Sequence, residues 1–209
     1  TKNDLVNLCG IDDSLVRVNL LGYSLPNLKI AKNPCEDFSI LYVSRVEHPG
    51  KNHLGLIKAY EKLCEIKKTN IPLVLVGGDW SGSEEVHSYH QSSKYRDQVH
   101  FMGHLSEEKL EYEYGRASLF IYPSFYEGFG LPLLEAMSRG IPVISSDRGS
   151  LLEVGGAAAL FADPEKPQEM AEKMKEMLDS SDLRQKYIQM GYENLKRFSW
   201  QAHTQNFPS

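Results

Sequence analysis

FSILYVSRVEHPGKNHLGLIKAYEKLCEIKKTNIPLVLV, residues 38–76, is the stretch whose pattern decides the fold. It opens on a short apolar run, Phe38–Ser44, and passes through a polar loop holding Arg45, His48, Pro49, Gly50 and Lys51. A stretch of helical periodicity, His53–Lys67, follows, and then a second apolar run, Ile71–Val76. Brief runs rich in β-branched residues are what strands buried on both faces require. Between them Leu54, Ile57, Leu63 and Ile66 recur at helical spacing, with Lys58, Glu61, Lys62 and Glu65 on the other side. Strand, helix and strand in this order make one parallel crossover unit.

The same alternation continues along the chain. Val99–Met102, Leu119–Tyr122, Pro142–Ser145 and Ala158–Phe161 are further strand candidates. Ser106 is a plausible N-cap for a helix opening on Glu107-Glu108-Lys109, and Leu131–Arg139 is a helix that tolerates Pro132 because it lies in the first turn. The expectation is an α/β domain over residues 38–180, a doubly wound Rossmann-like parallel sheet of about six strands flanked by helices. Pro167–Asp179 and Asp182–Phe198 read as consecutive helices, so residues 181–209 are expected to pack back on the domain or toward a preceding one. Residues 1–22 fit no repeat unit and read as the tail of that preceding domain, and residues 23–37, with Pro26 and Pro34, as a linker.

Composition narrows the function classes. The chain has 209 residues, 41% hydrophobic and 24% charged, as ordinary globular proteins do. A net charge of -5 gives no broad positive field to attract a nucleic-acid backbone, so any phosphate must be held by a few local cations. Cys9, Cys35 and Cys64 form neither a disulfide framework nor a zinc knuckle, which suits a reducing cytoplasm. No apolar run approaches the roughly 20 residues that span a bilayer. The start, Thr1-Lys2-Asn3-Asp4, has no initiator Met and no signal-peptide character, so a piece of a longer protein is expected. His87, His90, His100 and His104 lack the supporting ligand spacing of a metal site, and Trp80 and Tyr89 with Lys94 and Arg96 read as a polar surface or interdomain loop. Met170, Met174 and Met177 at helical spacing read as core contacts.

Two loops carry chemistry. Arg45 and Lys51 leave the carboxyl end of the first strand, where open α/β sheets bind ligands. A guanidinium fork and a mobile ammonium can neutralise a diphosphate from different directions, although solvated surface cations would look the same in sequence. The second loop, Tyr122 to Ala136, has glycines leading straight into a helix, so its amides and the positive end of the helix dipole can meet an anion. Glu127 and Glu135 can face one cleft at different depths, and carboxylates suit sugar and ribose hydroxyls; Glu135 could equally be a dipole-satisfying acid. Against a glycosidase pair, eight residues of helix rise span roughly 12 Å, wider than such pairs use unless the loop bends to bring the two closer.

Glu127-Gly128-Phe129-Gly130-Leu131-Pro132-Leu133-Leu134-Glu135, followed by Gly140-Ile141-Pro142-Val143-Ile144, resembles the Glu-x7-Glu signature of family-4-type retaining glycosyltransferases of the GT-B fold. Arg45 and Lys51 are similar to that family's phosphate-binding pair in kind and separation. Val74 to Gly78, Val99 to Leu105 and Asp163-Pro164 match further landmarks in the same order, so the resemblance covers residues 38–200. It implies a donor-binding half of a two-domain enzyme. Arg45 and Lys51 would grip the donor diphosphate and stabilise it as it leaves. Glu127 would contact the transferred sugar in a positioning role, and the amides of Gly128, Phe129, Gly130 and Leu131 would meet sugar or phosphate. Glu135 would bind ribose, and the backbone around Gly103, His104 and Leu105 the nucleobase. No enzyme nucleophile is implied, the donor phosphate taking the acceptor's proton.

No Asp-x-Asp occurs in the sequence, which leaves metal-independent transfer with no cofactor as the expectation. The donor implied is a nucleoside-diphosphate sugar, GDP-mannose or a UDP-sugar; Ser145 to Pro164, including Gly149 to Val154, resembles bacterial polysaccharide mannosyltransferases that use GDP-mannose. A saccharide or lipid-linked saccharide acceptor would sit on the preceding domain, and this chain alone would transfer nothing. The whole enzyme would be cytoplasmic, with peripheral association at the inner membrane face. A nucleotide-sugar epimerase of the same two-domain fold and a non-catalytic binding module are the alternatives.

Overall fold

A computed structural model of the protein describes residues 2–24 and 38–205. Cys35 and most of the expected linker lie outside the described residues. Six strands, β1 (Ser39–Val43), β2 (Leu73–Val76), β3 (Val99–Gly103), β4 (Ala117–Tyr122), β5 (Val143–Ser146) and β6 (Ala159–Ala162), form one parallel sheet in the order β3-β2-β1-β4-β5-β6. The helices are α1 (Lys2–Asn7), α2 (His53–Lys67), α3 (Ser83–Ser92), α4 (Glu107–Arg116), α5 (Leu131–Ser138), α6 (Ser150–Gly155), α7 (Pro167–Asp179), α8 (Ser181–Leu195) and α9 (Trp200–Gln205).

The chain winds outward from β1 to β3, returns through α4 to β4, and winds the other way to β6. Right-handed crossovers then put α2 and α3 on one face and α4, α5 and α6 on the other. α7 packs against α2, and α8 against α5. With helices on both faces, β2 and β5 are buried throughout and β1 nearly so, whereas the edge strand β3 buries only Val99 fully. Met170, Met174 and Met177 are buried as core contacts on α7.

Two expectations need correction. The stretch around His87 and Tyr89 is not a loop: residues 83–92 are α3, whose inner side buries only Ser83 and Val86 and rests His87 and His90 against Phe101. In α2 the buried face is Leu56, Ile57, Tyr60, Leu63 and Cys64, while Ile66 is exposed and Leu54 only half-buried. The reason is that α7, which itself reaches β4 and β6, packs along the flank of α2, so the covered arc of α2 is wider than a one-sided stripe and is rotated from it.

The amino-terminal segment meets the end of the domain. Tyr23 N–H donates to the Phe198 carbonyl (2.5 Å), and the Trp200 indole donates to Ser24 Oγ (2.8 Å). Gly22 lies where any Cβ would strike the Trp200 ring, at 2.5 Å. α8 approaches α5 through Gly191, whose Cβ position is 3.2 Å from Met137 Cγ.

Candidate functional site

The sheet reverses its winding between β1 and β4, and the loops leaving these neighbouring strands carry the residues that sequence pattern singles out. A crevice at the carboxyl ends of the strands, at such a switch point, is where doubly wound sheets take ligands.

The loop after β1 is held on both flanks. Toward β2, Val46 N–H donates to the Gly78 carbonyl and Trp80 N–H to the Val46 carbonyl, both at 2.9 Å. Gly77, at φ +146°, allows this approach, because a Cβ there would lie 2.1 Å from the Ser44 carbonyl oxygen. Toward β4, Phe125 N–H donates to the Gly50 carbonyl (2.9 Å), and the buried Tyr42 hydroxyl of β1, which donates to the Lys51 carbonyl (2.7 Å), also meets Ser124 Oγ at 3.2 Å. Asn52, also buried and at φ 56°, donates through Nδ2 to the carbonyls of Pro123 (3.2 Å) and Pro164 (2.9 Å).

This clamp brings Lys51 to the second loop. Lys51 Nζ donates to Glu127 Oε1 at 2.7 Å, and both side chains are largely covered, with 14% and 10% exposed. The Glu127 carbonyl accepts from Ser150 Oγ at 3.0 Å, which ties the loop to α6. Beneath it, burial, then Tyr42 and the Glu127 carboxylate, keep the Tyr122 phenol protonated far above its ordinary range.

Arg45 lies on the opposite flank. Its Nε donates to Glu47 Oε2 (2.6 Å) and its guanidinium sits 5.2 Å from the Trp80 ring centre. Half of its side chain is open to solvent, and its Nη groups have no hydrogen bond to the described residues.

α5 begins at Gly130, whose φ of +103° no β-carbon would favour and whose Cβ position is 2.6 Å from Leu151. Among the described residues, the amides of Gly128, Phe129, Gly130 and Leu131 donate to no other group of the chain. Gly128 faces open space. These N–H groups and the α5 dipole together provide positive potential beside Lys51.

Glu135, one turn into α5, is joined neither to Glu127 nor to either cation; its Oε2 accepts from the Tyr114 hydroxyl at 2.8 Å. In the third loop the Gly103 carbonyl accepts from Gly77 N–H (2.9 Å), His104 is exposed and Leu105 half-buried. A cleft of about 630 Å³ lined by Met102, Leu105, Glu108, Lys109, Tyr112 and Glu113 adjoins it.

Glu47, Asn52, Trp80 and Tyr114 stand beside the expected residues without having been assigned a part in the site by sequence pattern. Asn52 follows Lys51 directly, which is its only signal. Trp80 is conspicuous as an exposed aromatic after a strand, but nothing local points it at Arg45. Among the described residues no group of three or more His, Cys, Asp or Glu could hold a metal ion.

The fold is thus that of a doubly wound α/β domain with a cation–carboxylate pair and a glycine-lined helix start at its switch point. A family model described as "Glycosyl transferases group 1" matches residues 27–194, and the chain belongs to that family. It is 37% identical over 164 residues to O-antigen chain mannosyltransferase B of Escherichia coli, an alignment covering 78% of this chain and 43% of that protein. The fold matches a glycosyltransferase from Rickettsia africae ESF-5 (TM-score 0.80, 19% identity, 98% of this chain and 58% of that one). It also matches Anabaena Alr3699/HepE, solved in complex with UDP and glucose (TM-score 0.77, 20% identity, 95% and 57%). The chain spans less than half the length of the curated relatives it matches.

Proposed function

We propose that the crevice binds a nucleoside-diphosphate sugar. On this reading the chain is the donor-binding half of a retaining hexosyltransferase that passes the sugar to a saccharide or lipid-linked saccharide acceptor. The observation that carries the proposal is the 2.7 Å pairing of Lys51 with Glu127 across the switch point. It puts the cation that would meet a departing diphosphate beside the carboxylate that would meet the sugar.

Negative charge grows on the diphosphate as its bond to the anomeric carbon breaks. Groups fixed in advance at that place favour the transition state over the ground state. Lys51 and the amides of Gly128 to Leu131 would serve there from one side, and Arg45, with its Nη groups available, from the other. The acceptor oxygen would form its bond on the face the diphosphate leaves, its proton passing to a donor phosphate oxygen, with Glu127 positioning the sugar rather than attacking it. Glu135 would take ribose hydroxyls, and the backbone of His104 and Leu105 the base. No metal enters this scheme, and the acceptor would be held by a second domain facing the crevice.

The relative named as a mannosyltransferase supports mannose as the sugar; the neighbour solved with UDP and glucose supports a uridine donor. Calorimetric titration of the 209-residue chain with GDP, UDP, ADP and their sugar conjugates separates these. One diphosphate should bind, and Lys51→Ala should weaken it roughly tenfold or more. If none binds, or if Lys51→Ala binds as tightly, the proposal fails.

A further inference from the structure

Glu135 is not held by its own helix alone. Its Oε2 accepts from Tyr114 Oη at 2.8 Å, and Tyr114 is a fully buried residue of α4, the helix that follows the loop of Gly103 to Leu105. The Tyr114 ring is fixed in turn. Arg139, itself buried, lies over it with its guanidinium carbon 4.4 Å from the ring centre. Arg139 Nη1 donates to the Glu135 carbonyl (2.8 Å) and Nε to Glu111 Oε2 (2.9 Å), while Nη2 closes a second bond to Glu111 Oε1. α4 and α5, neighbours on one face of the sheet, are thereby joined through the carboxylates of Glu135 and Glu111.

We infer that Tyr114 is a positioning residue that orients the Glu135 carboxylate toward the ribose hydroxyls of the nucleotide, with Arg139 and Glu111 holding Tyr114 in place. The inference rests on the donor-site reading above. A carboxylate with a free χ3 presents its oxygens in many directions and loses that freedom on binding. With Oε2 fixed by the phenol, Oε1 and the remaining lone pair of Oε2 keep one plane, so a pair of vicinal hydroxyls meets acceptors already in position. The phenol is suited to this role. Burial, the Glu135 charge and the bond between them hold it protonated well above its usual range, so it is a donor at neutral pH. Because Tyr114 and the base-contacting loop belong to successive segments, the same bond would couple the seat of the base to that of the ribose.

The test is a comparison of ribose and ribose-free ligands. Native chain, Tyr114→Phe, Glu135→Gln and the double variant are each titrated with GDP and UDP and with their 2′,3′-dideoxy analogues. The native chain should prefer the ribonucleotide by roughly tenfold or more, the scale of a hydrogen bond to a charged group. Tyr114→Phe should lose most of that preference while binding the dideoxy analogue as the native chain does, and in the Glu135→Gln background it should change nothing further. A general packing role would instead weaken both ligands together. The inference is overturned if Tyr114→Phe keeps the native preference or weakens both ligands equally. A native chain that binds diphosphates without regard to the ribose hydroxyls would remove Glu135 from the ribose and the inference with it. A native chain that binds no diphosphate is a failure of the donor-site reading itself, visible before any substitution is made. Should Tyr114→Phe not fold, Arg139→Lys, which keeps the cation over the ring but gives up the fork to Glu111, should lower the same preference severalfold.

Discussion

In the proposed donor site Glu127 has two effects of opposite sign. It would steady the sugar in the transition state, and it neutralises Lys51, which would otherwise be free for phosphate. Glu127→Gln should therefore lower kcat of the intact enzyme by about 10² or more, the scale of lost transition-state electrostatics, while leaving diphosphate affinity unchanged or tighter. Steady-state kinetics beside a binding titration checks this, and parallel losses in both would argue for a merely structural role. His53 makes a separate prediction. It is fully buried at the start of α2, 4.7 Å from the Tyr42 ring, and burial, partly offset by the Glu47 and Ser44 backbone, lowers its pKa to about 4. The unfolded chain takes up a proton near pH 6.5 that the folded chain refuses until about pH 4. Stability is thus lost as pH falls through that window and is level above it. Between pH 7 and pH 5, urea unfolding of the native chain should lose roughly 2 kcal/mol more than that of His53→Asn.

Among elements, the seat of α8 on α5 is decided by one small residue. A leucine at 191 would drive into Met137, whose Cγ is already 3.2 Å from the Cβ position, so Gly191→Leu should cost about 1–3 kcal/mol. Because α5 carries Glu135 and the amide-lined start, nucleotide affinity should fall with the melting temperature, and an unshifted melting curve would mean that the helices have room to adjust. The elements also show which local patterns can be read from sequence alone. All six strands fall within a few residues of their apolar runs, and α7 coincides with its period, because burial on two faces and a strong stripe leave little ambiguity. α3 was not legible. With only Ser83 and Val86 buried, it has no stripe, and it is fixed instead by resting His87 and His90 on Phe101 of the edge strand.

At the scale of the whole molecule, charge is concentrated rather than spread. A chain of net charge -5 presents its candidate phosphate-binding groups as Arg45, Lys51 and the start of α5, all at the switch point. In the proposed reaction these groups do what a divalent ion does elsewhere, so excess chelator should leave the initial rate of the intact enzyme unchanged. Loss of rate, restored by a particular cation, would require the phosphate site to be redrawn around a metal. No helix among the described residues is long and apolar enough to cross a membrane.

The sequence by itself determined the strands, most of the helices, and the two loops in which chemistry would be found. Each depends on neighbours in the chain: an apolar run, a period of 3.6, a glycine before a helix. Only the tertiary structure decided which of those residues meet. Lys51 and Glu127 are 76 residues apart and touch because the sheet reverses between β1 and β4, with Asn52 and Tyr42 bracing the loop across that junction. Arg45 and Lys51 were expected to approach a diphosphate from different directions, and it is the stitching of Val46 to Gly78 and Trp80 that holds Arg45 on the flank away from Lys51. The partner of Glu135 was hidden too, since Tyr114 lies 21 residues away on another helix and no local pattern joins the two. Local periodicity records how a segment is covered, not what covers it, and long-range contact is settled only when all the elements pack at once.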